Sequence, residues 1–220
     1  MAERLRGRLY GRRQGKSLRA GQQAVIETRL PQLLAVEQGP IAPPWSTTWL
    51  EIGFGAGEHL LCQMSANPET GFIAAEPFVN GMAALLMRLE EADEKRIMLW
   101  DQDARDLIVR LKSNSIDRAF LLFPDPWPKK RHWKRRFVSQ ETLSALHAVL
   151  IPGARLRMAT DWPDYACWML IEIARHGGFE WTACKASDWR EPPTDHFPTR
   201  YEAKARAQGR RPVYLDFERL

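Results

Sequence analysis

The chain has 220 residues, 45% of them hydrophobic and 10% aromatic, with 32 Lys and Arg against 27 Asp and Glu and a formal charge of +5. This composition predicts one compact domain with a sizeable core and excludes a long disordered tail protein. No apolar run approaches the ~18 to 20 residues of a membrane helix, and the opening MAERLRGRLYGRR lacks the apolar stretch of a secretory signal, so no membrane association and a cytoplasmic location are expected.

Residues 1–20 carry seven basic side chains against Glu3, with Gly7, Gly11 and Gly15 among the arginines. They have too little apolar content to pack, which predicts a basic mobile arm ahead of a single domain over 21–220. Residues 22–36 predict a short helical lead-in interrupted at Pro31, and Pro40, Pro43 and Pro44 a connector. Strands are then predicted at 48–53, 71–76, 96–100, 116–123, 154–159, 179–184 and 213–217. Helices are predicted between them at 58–66, 79–92, 104–111, 139–150 and 165–176. The alternation implies right-handed crossovers and a doubly wound α/β fold with a mostly parallel sheet covered on both faces. In such folds ligands sit outside the carboxyl ends of the strands.

The first strand runs into Glu51-Ile-Gly53-Phe-Gly55-Ala-Gly57 and a helix. Glycines alternating there let the backbone turn tightly and approach a nucleotide-type cofactor. The dinucleotide fingerprint needs glycine at position 58, where Glu58 stands, so the spacing fits S-adenosylmethionine better than NAD. The second strand ends at Glu76, where a carboxylate can take both ribose hydroxyls as a bidentate acceptor or serve instead as a helix cap. The third leads to Asp103, an acceptor for an adenine amine or, equally, a helix cap.

The fourth strand enters Pro124-Asp125-Pro126-Trp127-Pro128 and six cations, Lys129, Lys130, Arg131, Lys134, Arg135 and Arg136. Prolines stiffen this loop and keep it from becoming helix. The fifth strand ends at Thr160-Asp161-Trp162, and Thr199-Arg200-Tyr201-Glu202 opens a short helix in a third basic stretch, 200–211. Three basic patches on a mildly acidic body predict a polyanionic partner, with solvated charged faces as the alternative. Cys62, Cys167 and Cys184 predict reduced, buried thiols, and the scattered His59, His132, His147, His176 and His196 predict no metal site.

With EIGFGAG at 51–57, Glu76 in AAEPF, Asp103, FPDPWPKKRHWKRR at 123–136, TDW at 160–162, TRYEAKA at 199–205 and YGRRQGK at 10–16, the chain resembles the bacterial tRNA (guanine-N7-)-methyltransferases over nearly its whole length. They are Rossmann-like class I S-adenosyl-L-methionine enzymes. The resemblance implies cofactor contacts from Glu51, Gly53, Gly55, Gly57, Glu76, Asp103 and Asp125, with Asp125 also the catalytic residue. It implies substrate contacts from Lys129, Asp161, Thr199, Arg200, Tyr201 and Glu202, and RNA contacts from Arg131, His132, Trp133, Lys134, Arg135 and Arg136. The implied product is N7-methylguanosine at position 46 of the tRNA variable loop, made by a monomer or homodimer with no required protein subunit and no metal.

Other chemistries fit less well. A cytosine-C5 methyltransferase needs a nucleophilic cysteine after the fourth strand, and none stands there. An amino-group methyltransferase shares the proline-rich acid-aromatic loop, but the basic run and TRYEAKA favour guanine N7. A tRNA-binding module with a vestigial cofactor fold would not retain Glu51, Glu76 and Asp103 together.

Overall fold

The computed structural model describes residues 9–36 and 38–220. Among these, seven strands form one sheet: β1 (Thr48–Ile52), β2 (Gly71–Ala75), β3 (Ile97–Trp100), β4 (Ile116–Leu122), β5 (Leu150–Thr160), β6 (Phe179–Trp181) and β7 (Val213–Arg219), in the order β3-β2-β1-β4-β5-β7-β6. The pairings among β1 to β5 are parallel, and β7 runs antiparallel to β5 and β6. The central strands are near-continuous apolar runs because helices cover both faces.

The helices are α1 (Ala20–Thr28), α2 (Leu30–Leu33), α3 (Glu58–Ala66), α4 (Val79–Leu86), α5 (Ala104–Ile108), α6 (Gln140–Val149), α7 (Pro163–His176), α8 (Ser187–Arg190) and α9 (Arg200–Ala207). On one face Leu50, Ile73 and Leu156 pack with Leu107, Leu146 and Met169 from α5, α6 and α7. On the other, Phe72 and Leu99 pack with Leu33, Leu60 and Leu85 from α2, α3 and α4. Each such side chain contributes about 1.5–3 kcal/mol of transfer free energy. A smaller cluster of Phe120, Leu122, Ala159 and Tyr214 lies on β4, β5 and β7.

Several expectations are corrected. The helical lead-in breaks at Arg29, whose guanidinium reaches the carbonyls of Leu86 and Leu89, and Pro31 instead sits in the first turn of α2, where its missing N–H costs nothing. The helix expected over 79–92 ends at Leu86, and Glu91–Arg96 is a separate 3₁₀ turn. β5 starts at Leu150, earlier than expected, while β6 stops at Trp181. The basic segment is not all loop, because Lys130–Arg135 winds into a 3₁₀ turn beyond the last proline. All three cysteines are free and exposed. Cys62 and Cys167 lie on the sides of α3 and α7 opposite the buried His59, Leu60 and Met64 and the buried Tyr165, Met169 and Ile173.

Of the expected arm, residues 1–8, including Arg4, Arg6 and Arg8, lie outside the described residues. Residues 9–19 have no regular secondary structure and run along the start of α4. The Val79 N–H donates to the Arg13 carbonyl at 2.8 Å, the Gly15 N–H to Asn80 Oδ1 at 2.7 Å, and Asn80 Nδ2 to the Lys16 carbonyl at 2.8 Å.

Candidate active site

Register brings the strand ends level: Ile52 pairs with Ala75 and Leu121, and Ala75 with Trp100. The residues that follow line one cavity of about 400 Å³, among them Gly53, Gly55, Glu76, Asp103 and Asp125. Gly55 holds φ +60° and donates its N–H to Glu76 Oε2 at 2.7 Å. Gly81 of α4 allows the close approach behind it, since a Cβ at Gly81 would lie 2.2 Å from the Gly55 carbonyl oxygen. Glu76 Oε1 accepts from the Phe78 N–H at 2.9 Å. Burial raises the Glu76 pKa and the nearby Asp125 charge adds to this, while the two backbone donors oppose it.

Asp103 is both a helix cap and a cavity-lining residue. It caps α5 by accepting from the Arg105 N–H at 3.0 Å. Glu51 is placed elsewhere. Ile52 faces the cavity, so strand alternation turns Glu51 to the α3 side, where its carboxylate takes His59 Nδ1 at 2.8 Å in a buried pair. Gly57 also stands off the cavity, as the N-cap of α3 at φ +79°.

Around Asp125 the backbone is strained. Phe123 and Trp127 hold φ of +52° and +44°, costing about 1–3 kcal/mol each for non-glycine residues. Asp125 is accessible at the cavity mouth, yet the surrounding protein desolvates its carboxyl and raises its pKa. Trp127 lines the same cavity, with Tyr10 and His132 edge-on at 6.2 and 5.8 Å. Arg135 lies 4.9 Å from the ring centroids of both Tyr10 and Trp127 and lines the cavity too.

The six residues from 131 to 136 therefore separate. Arg131 and Lys134 are exposed, as are Lys129 and Lys130 before them. His132 and Trp133 are half-buried, Trp133 packing on Trp168 at 5.5 Å. Partial desolvation and the neighbouring Arg135 and Arg131 hold the His132 pKa below its usual value. Arg136 is buried at 3% exposure and is not part of the surface.

The C-terminal motif divides as well. Thr199 caps α9, accepting from the Glu202 N–H at 3.2 Å, and Arg200 is exposed near Glu58 at 3.7 Å. Tyr201 lines the cavity, its ring 3.2 Å from where a Gly55 Cβ would stand. Glu202 is buried with both oxygens in use: His196 Nε2 at 2.7 Å on one, the Tyr214 hydroxyl at 2.6 Å and Arg206 at 2.9 Å on the other. Burial alone would raise its pKa, but these hydrogen bonds outweigh it and hold the carboxyl down to about 2. Asp161 is paired with Arg210.

Tyr10, Arg12, Phe78 and Arg105 also line the cavity and do not stand out in the sequence. The available signals are the aromatic that opens YGRRQGK and the aromatic two residues after Glu76.

Residues 46–215 match the model of a family described as a putative methyltransferase. A tRNA (guanine-N(7)-)-methyltransferase of Agrobacterium fabrum is 49% identical over 219 residues, covering 96% of this chain and 94% of its own. One of Azorhizobium caulinodans is 46% identical over 221 residues, covering 98% and 96%. The chain belongs to the tRNA (guanine-N(7)-)-methyltransferase family. Among solved structures the 16S rRNA methyltransferase KamB superposes with a TM-score of 0.57 at 18% identity, over 80% of this chain and 88% of its own, which shows the shared fold.

The methyl donor of this methyltransferase family is S-adenosyl-L-methionine, and the donor set at the strand ends fits it. Each Glu76 oxygen spends one acceptor direction on a backbone N–H and keeps another for a ribose hydroxyl. Asp103, with one oxygen on the Arg105 backbone and the other on its guanidinium at 3.1 Å, retains acceptor capacity for an adenine amine. The cavity volume lies within the range of small-ligand sites.

Proposed function

We propose that this enzyme transfers the methyl group of S-adenosyl-L-methionine to N7 of the guanosine at position 46 in the variable loop of tRNA, with Asp125 as the residue that meets the guanine. One observation carries the role of Asp125. Among Glu76, Asp103, Asp125, Asp161 and Glu202, it is the one whose carboxylate has neither a hydrogen bond nor an ion pair within the described residues, and it lines the cavity.

The donor supplies an electrophilic methyl on a sulfonium. Guanine N7 carries an exposed lone pair at neutral pH, so no strong base is required, and the protein's work is alignment and exclusion of water. Asp125 accepts from the N1 and N2 hydrogens of guanine, which orients N7 and offsets the positive charge the purine gains. Asp161 and Glu202 are left out of this contact by Arg210 and by the His196 and Tyr214 bonds. Trp127 and Tyr201 offer aromatic faces to a base taken out of its stack. The exposed Lys129, Lys130, Arg131 and Lys134 meet phosphates and supply affinity, not base identity.

In this reading residues 21–220 form one methyltransferase domain behind a basic arm over 1–20. The enzyme works in the cytoplasm as a monomer or homodimer, without a protein subunit or a metal. No helix of the described residues is long and apolar enough to cross a membrane.

The test is incubation with labelled S-adenosyl-L-methionine and unmodified tRNA transcripts, with and without the variable-loop guanosine, followed by nucleoside analysis. The expected result is N7-methylguanosine that vanishes with that guanosine. Label on another nucleoside would move the enzyme to a different target, and tight tRNA binding without label would leave a binding module.

A further inference from the structure

Arg136 closes the basic run in sequence but points inward in the structure. Its side chain is 1% exposed and pairs with the accessible Asp164. The guanidinium carbon lies 4.8, 5.0 and 4.9 Å from the ring centroids of Trp133, Tyr165 and Trp168. An aromatic box of this kind attracts a cation through the ring quadrupoles and fixes the plane of its fork. A second direction of the fork is spent on the active-site loop, where Arg136 Nε donates to the carbonyl of Pro126 at 2.9 Å.

Pro126 follows Asp125 directly. Pro124, Pro126 and Pro128 contribute no N–H, so this stretch has few ways to be tied down. Among the described residues the Arg136 bond is the one hydrogen bond that reaches residues 124–128 from the rest of the chain. The residues two before and two after Asp125 hold positive φ, and such backbone persists only where the surroundings over-determine it.

We propose that Arg136 is a positioning residue for Asp125 and not an RNA contact: clamped in its aromatic box, it holds the Pro126 carbonyl and so the strained turn that places the Asp125 carboxylate on the cavity. The assignment rests on Asp125 as the group that meets the guanine.

The test uses the full chain, with Arg136→Lys, Asp125→Asn, the double variant, and Lys134→Ala as a surface-cation control. Single-turnover methylation, tRNA affinity across a salt series and S-adenosyl-L-methionine affinity are measured for each. Arg136→Lys is expected to lower the methylation rate by roughly 10- to 100-fold, the scale of a misplaced reacting group, with tRNA affinity, salt slope and donor affinity at parental values. Lys134→Ala, which removes an exposed cation, is expected to lower tRNA affinity and the salt slope. The double variant is expected to be no slower than Asp125→Asn alone, because residues acting through one another are not additive.

A lowered tRNA affinity for Arg136→Lys, a parental rate, or multiplicative losses in the double variant would each overturn the assignment. If Arg136→Lys loses donor binding through misfolding, Asp164→Ala decides. It removes the acceptor on one side of the guanidinium at an accessible position and is expected to slow methylation about threefold with donor affinity kept, and an unchanged rate there overturns the assignment. A parent enzyme that makes no N7-methylguanosine fails the proposed function and this assignment together. A parent that makes it, with Arg136→Lys equal to it, fails the assignment alone.

Discussion

At Asp125 the carboxyl has lost part of its hydration and gained no partner from the described residues, so its pKa lies above the usual aspartate value. The role proposed for it, accepting two hydrogens from guanine, requires the ionised form. As pH falls through that raised pKa the acceptor is lost, so methylation is expected to decline on acidification at a higher pH than an ordinary aspartate would dictate. In Asp125→Asn that limb of the pH profile disappears and turnover falls by about 10²- to 10³-fold, with tRNA affinity kept. Rate and affinity measured together across pH check this, and equal losses in both would remove the role. Gly81 is the other residue where one atom decides. An alanine Cβ 2.2 Å from the Gly55 carbonyl oxygen must displace the glycine loop. Gly81→Ala is expected to cost about 1–3 kcal/mol of stability and to weaken S-adenosyl-L-methionine binding, which calorimetry and urea unfolding would show. Equal donor affinity in parent and variant would mean that the loop shifts without harm.

Among the elements, the segment from α8 to β7 is held by charged anchors. Asp195 bridges Arg157 at 2.8 Å and Arg118 at 2.7 Å, and Arg157 is paired in turn with Asp216 at 2.7 Å. One residue on, His196 joins Tyr214 of β7 in holding Glu202 of α9, and this places the adjacent Tyr201 on the cavity. Tyr214→Phe keeps the ring and removes one donor to a buried carboxylate, at an expected cost of about 1.5–3 kcal/mol near pH 7. The Glu202 pKa is held down to about 2 from 4.5, so this contribution is present above the unfolded value and fades as pH falls through the folded one. Urea unfolding of parent and variant should therefore differ clearly at pH 7, and the gap should narrow below pH 4.5 and close toward pH 2. A gap that stays constant would place the effect in packing. These anchors also show where the sequence stops being informative. The strands and the GFGAG turn are legible because their signals are local: apolar runs, alternating glycines and an acid at the end of each run. Glu202 reads as a free acid because two of its three occupants, His196 and Tyr214, lie outside α9, and Arg136 as a surface cation because Asp164 and Trp168 reach it from α7. The exposed cysteines follow the same logic, since only helix packing says which side of α3 or α7 faces out.

For the whole molecule, the basic run matters less as a sum than as a division of labour. Six cations follow Pro128 in sequence. Two of them face inward, Arg135 to Tyr10 and Trp127 and Arg136 to its aromatic box, while Lys129, Lys130, Arg131 and Lys134 stay in water beside the cavity mouth. Only cations in water can release counterions from tRNA, so under the proposed function it is these four of the six that contribute to the salt dependence of binding. Changing Lys130, Arg131 and Lys134 together to alanine should lower the slope of log affinity against log salt by about 2–3, near 1 for each phosphate that is no longer neutralised. The loss in affinity should accordingly be small at high salt and large at low salt. Methylation at saturating tRNA should remain near the parental rate, because cations on phosphates bind substrate and transition state alike and so change KM more than kcat. Filter binding over a salt series, paired with kcat on the same preparations, separates the two effects. A slope unchanged by the triple substitution would mean that the tRNA backbone passes elsewhere, with the basic stretch of α9 and the arm left to carry it.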